Sequence, residues 1–197
     1  MRWDNLFDDL ESQLEHELAA EEVDLKGEEE RLRIGRLALR DRLLAIHDAS
    51  GGDPYLLRLV LTDGRTIAVR PRSFGKDWLT AELVDDARQQ TQCVIPLWAV
   101  ASIVVDRAQV DQSLIEPVGG TPVLSGRLSL TFVLRDLARR RCSLELQVGA
   151  AVIHGTIDRV GRDHFDVAVH EPGSARRERD VLQYRLVPLH QLLLVRL

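Results

Sequence analysis

Three histidines and a carboxylate fall within one short stretch of this 197-residue chain: His154, His164, Asp166 and His170. These are metal-ligand residue types, but their spacing works against a shared ion. On a strand rising about 3.3 Å per residue, His164 and His170 stand about 20 Å apart. Only His164 and Asp166 share a face, and a solvated strand face is the simpler reading of that pair. Cys93 and Cys142 are too few for a disulfide framework and read as two core thiols. No Gly-rich phosphate loop, nucleophile elbow, Cys-x-x-Cys or His-Glu-x-x-His motif occurs. The expectation is no catalytic residue, no metal, no cofactor and no small-molecule substrate.

The remaining candidates are groups that make contacts. Basic clusters stand at Arg139-Arg140-Arg141, at Arg176, Arg177 and Arg179, and at Arg70, Arg72 and Lys76, with Arg162 at the position matching Lys76. Such side chains can track phosphates without reading sequence, although Arg139–Arg141 at a helix end would also offset the helix dipole. Of 26 basic residues only Lys26 and Lys76 are lysines. The bias reads as codon usage of a GC-rich genome, and arginine is also the better phosphate and stacking residue. Trp78 and Trp98 are the other candidates. By alternation Trp78 points away from Leu79, Ala81 and Leu83, towards an outer face where it could stack bases or anchor a protein. Burial against a helix or a neighbouring module is the competing reading.

The elements that position these groups follow from composition and periodicity. With 45% hydrophobic and 29% charged residues and no apolar run near 18, the chain reads as soluble and globular. Collagenous, membrane-spanning and wholly disordered classes are excluded. Met1-Arg2-Trp3-Asp4 opens no signal-peptide core, so the cytoplasm is the expected location. Charge is uneven. Residues 1–30 hold 12 acidic and 2 basic side chains, while residues 31–197 hold 19 acidic and 24 basic. Trp3, Leu6, Phe7, Leu10 and Leu14 form one stripe of an acidic amphipathic helix over residues 1–26. That arm is a solvating face, an autoinhibitory mimic of nucleic acid or a docking element. A second helix is expected from Glu28 to Ile46, carrying Leu32, Leu39, Leu43 and Ile46.

After Ser50-Gly51-Gly52-Asp53-Pro54 the apolar period becomes two. Strands are expected over 57–61, 65–70, 78–83, 92–95 and 100–105. Asp106–Ser125, with its Pro and Gly, reads as a linker. A helix with Leu130, Val133, Leu134 and Leu137 follows, then strands near 142–147, 151–160, 164–170, 181–187 and 191–197. The pattern has restarted. Gly75-Lys76-Asp77-Trp78-Leu79 matches Gly161-Arg162-Asp163-His164-Phe165, and Ile95-Pro96-Leu97-Trp98 matches Val187-Pro188-Leu189-His190. The glycines lie 86 apart and the prolines 92, so six residues are inserted between, in the hairpin Glu171–Asp180.

Each copy is a helix followed by five short strands, a size suited to a small, strongly bent barrel. Gly155 interrupts the series Ile153, Ile157, where a strand can bend sharply. Residues 148–169, Val-Gly-Ala-Ala-Val-Ile-His-Gly-Thr-Ile-Asp-Arg-Val-Gly-Arg-Asp-His-Phe-Asp-Val-Ala-Val, resemble the first motif of the Sm-like family, which includes a bacterial RNA chaperone. Residues 187–195 resemble the turn before that family's last strand, with His190 near the chaperone's histidine. The whole chain also resembles two-barrel proteins of GC-rich Actinobacteria. The resemblance covers residues 28–105 and 127–197. It implies two tandem Sm-like, SH3-like five-stranded barrels, each preceded by a helix, in a mainly β, α+β chain. The expected division is an arm (1–26), a first barrel (27–105), a linker (106–126) and a second barrel (127–197).

The departures bear on function. Where RNA-binding members read a base with Asn, this chain has Thr80 and Asp166, and a carboxylate cannot donate to a base. Where they hold the nucleotide with Arg-Gly, it has Pro96-Leu97 and Pro188-Leu189. What the resemblance leaves is the fold and its habit of pairing barrels edge to edge. The expectation is a non-catalytic interaction protein that binds a protein partner or itself, without membrane association. The alternative is RNA or single-stranded nucleic-acid binding through the basic loops, with the arm autoinhibitory. Candidate contacts are Arg70, Arg72, Lys76, Trp78, Trp98, Arg162, His164, Arg176, Arg177, Arg179 and His190.

Overall fold

The computed structural model describes residue 16 and residues 22–84, 91–115, 124–174 and 176–197. The arm stripe of Trp3, Leu6, Phe7, Leu10 and Leu14 lies outside the described residues. Residues up to Asp41 form one unit and Arg42–Leu197 a second. Helix α1 (22–36) is exposed over nearly its whole length. Pairs one turn apart decorate it, with Lys26 Nζ 2.7 Å from Glu22, Arg31 Nη1 3.1 Å from Glu28 and Arg33 Nη2 2.6 Å from Glu30. The expected single helix from Glu28 to Ile46 is in fact two. Gly35 weakens the end of α1 by about 1 kcal/mol relative to alanine, and Leu37 N–H closes a tight turn onto Ile34 O at 3.1 Å. Helix α2 (Leu39–Ala49) follows and buries Leu43, Ala45 and Ile46.

The protein is α+β, and ten strands build one antiparallel sheet. In chain order they are β1 (Leu57–Leu61), β2 (Thr66–Phe74), β3 (Trp78–Leu83), β4 (Thr91–Pro96), β5 (Val100–Val104), β6 (Leu144–Val148), β7 (Ala151–Val160), β8 (His164–Val169), β9 (Gln183–Pro188) and β10 (Leu192–Arg196). Their order across the sheet is β5-β1-β2-β3-β4-β10-β6-β7-β8-β9. The sheet does not close on itself: β5 and β9 are its edges.

The order makes the duplication physical. Each half runs fifth, first, second, third, fourth. The β2–β3 ladder slips between Pro71 and Ser73, and the β7–β8 ladder slips between Ile157 and Arg159, each 86 residues on. Trp78 stands opposite Pro96, as His164 stands opposite Pro188. Gly75 N–H donates to Trp78 O at 2.8 Å, and Gly161 N–H donates to His164 O at 2.8 Å. A methyl at Gly75 would enter the Trp78 ring, and one at Gly161 would lie 2.7 Å from His164 Cε1. The buried Trp78 ring therefore demands the glycine in the first copy, whereas in the second the exposed His164 ring has room to turn aside. At Gly155 a methyl would meet the Ala168 carbonyl, so β7 and β8 approach there as closely as backbone allows.

Two hydrophobic clusters fill the second unit. The first gathers Leu43, Leu57, Leu59, Leu61, Val69, Phe74, Leu79 and Ile95. The second gathers Leu130, Leu134, Leu144, Leu146, Ile153, Ile157, Phe165 and Val167. The expected linker holds structure. Helix α3 (Arg107–Ser113) occupies its start, opened by a reciprocal cap in which Asp106 Oδ1 accepts from Gln109 N–H at 2.8 Å and Gln109 Oε1 accepts from Asp106 N–H at 3.0 Å. Arg42 Nη2 donates to the buried Ser113 Oγ at 2.8 Å, which fastens α3 to α2. Helix α4 (Leu130–Arg139) then lies over β7.

Candidate interaction surface

The junction between the two repeats shows what one repeat does to another. Its backbone element is short: β4 meets β10 with Val94 opposite Val195 and Cys93 opposite Arg196, and Leu197 N–H donates to Gln92 O at 3.0 Å. Side chains carry more of it, because each repeat lends apolar groups to the other. Trp78 and Val94 of the first repeat sit in the second cluster. Leu193 and Leu194 of the second repeat sit in the first. The loop before β3 adds polar latches. Asp77 Oδ1 accepts from Leu130 N–H at 2.7 Å, filling an orphan donor of α4 that the Ser129 side chain leaves uncapped. Lys76 N–H and Trp78 Nε1 both donate to Leu128 O, at 2.9 and 3.0 Å.

Trp78 is thus 6% exposed. The alternation rule does turn it away from Leu79, Ala81 and Leu83, but on that side its ring packs into the second repeat, so the outward, contact-making tryptophan is corrected to an internal anchor. Its counterpart His164 is exposed, with Nδ1 2.8 Å from Asp163 Oδ1. That bond and the neighbouring charge hold the Asp163 carboxyl below its usual range. Asp166 turns to Arg159, 3.8 Å away, rather than to His164. His170 is buried between Thr156 Oγ1 at 2.9 Å and Ser174 Oγ at 3.1 Å, a satisfied core histidine. Among the described residues no three His, Cys, Asp or Glu converge as metal ligands. Both cysteines are free, and burial pushes the Cys93 thiol up to about 12.

The basic clusters are largely engaged internally. Arg141 and Arg176, distant in sequence, meet on one carboxylate: Asp158 accepts from Arg141 Nη1 at 2.7 Å and from Arg176 Nη2 at 2.7 Å and Nε at 3.0 Å. Burial alone would raise Asp158, yet the two guanidiniums hold it below the carboxylate range. Arg176 also reaches Glu178 at 3.0 Å, and Tyr184 Oη donates to Glu178 at 2.5 Å. Asp158, Arg176, Glu178 and Tyr184 line a cleft of about 510 Å³ on the outer face of β7–β9. Arg72 is fixed by Glu82 at 2.7 Å, Arg139 by Asp136 at 2.7 Å, and Arg179 stands 3.6 Å from Asp180. Arg70 and Arg72 line a second cleft, of about 230 Å³, with His47 and Tyr55. Lys76, Arg162 and Arg177 are exposed. The turns that carry Trp98, 37% exposed, and the exposed His190 adjoin each other beside the junction.

Sequence reasoning missed an exposed apolar feature at the sheet edge. Edge strand β9 and the residue before it present Leu182, Tyr184 and Leu186 to solvent at 66%, 53% and 73% exposure. Among the described residues β9 pairs only with β8, and β5 only with β1, so both outer rows of amides and carbonyls are open. The signal was in the duplication: Leu186 is the counterpart of Val94, which the junction buries to 2%. No helix among the described residues is long and apolar enough to cross a membrane. No protein-family model matches the chain, and no curated protein or solved structure is significantly similar to it.

Proposed function

We propose that this chain is a non-catalytic interaction protein built on two Sm-like small barrels, which takes up a protein partner or further copies of itself through the open edges of its sheet. The observation that carries this is β9, an edge strand that, together with Leu182 just before it, displays three large apolar side chains beside unpaired backbone groups. Such edges template further pairing unless they are blunted, and β9 carries Pro only at its final residue. The barrel reading is supported by a helix and five strands in the same order in each repeat, and by the close approach at Gly155. The internal pairing of Arg72, Arg141 and Arg176 favours a protein over a nucleic acid, since those guanidiniums already have carboxylates.

The test is amide hydrogen exchange of the full chain, alone at rising concentration and with co-purifying protein. Protection confined to β9 and β5 supports the reading. Salt-steep binding of unstructured RNA, tightened by removal of residues 1–26, with no change at either edge, replaces it with the nucleic-acid reading.

A further inference from the structure

We infer that the outer face of the first repeat, across β5, β1, β2 and the end of β3, docks an acidic segment of another protein, one with apolar side chains between its carboxylates. This surface is separate from the strand edges. The duplication points to it, because the same face of the second repeat is already satisfied from within. There Glu145 stands between His154 and Arg196. It accepts from the Arg196 guanidinium, and His154 Nε2 lies 3.9 Å from the same carboxylate. The hairpin Glu171–Asp180 folds back onto the rest of that face, with Ser174 Oγ 3.1 Å from His170 Nδ1 and Arg176 Nη2 donating to Asp158 at 2.7 Å. Thr156, Ala168 and His170 are all buried.

The first repeat fills the matching positions differently. Arg58 stands between Ala68 and Val104, in the place of Glu145. Arg70, opposite Glu82, matches Thr156, and Arg72 matches Asp158. Leu57, Leu59 and Val69 are fully buried on the inner face, so alternation turns Arg58 and Arg70 outward. Among the described residues neither of them makes a hydrogen bond or an ion pair. β1, β2, β3 and β5 hold no carboxylate except Glu82, and Arg72 takes its Oε1 through Nε at 3.0 Å and Nη2 at 2.7 Å. Asp53 borders the adjoining cleft, and a net positive charge remains. Val84 and Val104 lie on the same face at 37% and 51% exposure, where His170, the counterpart of Val84, is 1% exposed. Free guanidiniums favour carboxylates, which they bind through paired donors. Valines between them suit apolar side chains and give bases no ring to stack on, which favours a peptide over a nucleic acid.

The test titrates the full chain at low salt against short fluorescent peptides with repeats of Glu-Glu-Leu, Gln-Gln-Leu or Lys-Lys-Leu, and against single-stranded oligouridylate. The whole chain carries a net charge of −5, so attraction of an acidic peptide has to come from a local surface. The glutamate peptide should bind, and the glutamine peptide should bind at least about tenfold more weakly. Arg58→Gln with Arg70→Gln should weaken the glutamate peptide about tenfold at unchanged secondary structure. Arg31→Gln with Arg107→Gln, which removes the same charge at exposed positions elsewhere, should leave it unchanged. Arg58→Glu with Arg70→Glu should turn the preference to the lysine peptide. Equal losses from the two glutamine double variants would overturn the site. Tighter, salt-steep binding of oligouridylate that falls with Arg58 and Arg70 would overturn the protein partner. Failure of the glutamate peptide to bind at low salt would overturn the inference outright. Amide exchange at β9 reports on the edge separately, so either reading can fail without the other.

Discussion

Trp78 and His164 occupy one position in two copies of the same unit, and they should differ sharply in what they contribute to stability. Trp78 is 6% exposed, its ring in the second cluster and its Nε1 on Leu128 O at 3.0 Å. A buried tryptophan covers about 150–250 Å², which at about 25 cal/mol/Å² corresponds to about 4–6 kcal/mol as an upper bound. Leu128 O keeps its bond from Lys76 N–H when the indole is removed, so the lost hydrogen bond adds little. Trp78→Ala should therefore cost about 4 kcal/mol, within the range for aromatic-to-alanine changes in cores. That is a large part of the 5–15 kcal/mol that holds an ordinary domain together. His164→Ala, at the exposed first residue of β8, should cost less than about 0.5 kcal/mol. Urea and thermal unfolding followed by far-ultraviolet circular dichroism measure both. A drop of about 8–16 °C in Tm is expected for Trp78→Ala, against a degree or two for His164→Ala. Equal costs, or a Trp78→Ala cost below about 1 kcal/mol, would refute the account of the junction.

Three further outcomes follow from single sites. Gly155→Ala should destabilise by about 1–3 kcal/mol, because the new methyl meets the Ala168 carbonyl and Val167 Cγ1; equilibrium unfolding measures it. Asp158 is held ionised in the folded state by Arg176 and Arg141, so its contribution is present above the unfolded carboxylate pKa of about 3.9 and is lost as pH falls through the lower folded value. Asp158→Asn should then cost about 1–2 kcal/mol at neutral pH and progressively less below pH 4, read from unfolding curves across that range. Burial and the raised thiol pKa of about 12 should keep Cys93 unreactive to a thiol reagent at pH 8 until the protein unfolds, whereas the half-buried Cys142 reacts first. Mass spectrometry of the labelled chain resolves the two.

Much of the fold was legible because apolar period and duplication agree. The strand expected over 151–160 is the observed β7, and alternation placed Leu57, Leu59 and Leu61 inward, where all three are fully buried. A strand was expected near 191–197, apolar on both faces apart from Arg196, and β10 lies mid-sheet with its first four residues buried. The failures share a cause: local pattern does not know its neighbours. Alternation turned Trp78 outward correctly but could not say that another repeat lay there. Pro and Gly after residue 115 hid the Asp106–Gln109 cap, a readable helix start. Leu186 looked like any apolar strand residue, since nothing local distinguishes an edge from a covered strand. The basic clusters were visible as charge, but their carboxylate partners, Glu82 and Asp158, come from other strands.

The strand that joins the two repeats follows its partner β4 by about a hundred residues. Leu192–Arg196 lies between β4 and β6, so during synthesis the first repeat emerges with Trp78 and Val94 uncovered and must wait for about a hundred residues before its neighbour arrives. Over that interval the nascent chain shows the ribosome's surroundings an inner seam that the finished molecule never displays. A stall or truncation before residue 192 would leave that seam permanently open, a state suited to capture by a chaperone or by another nascent copy.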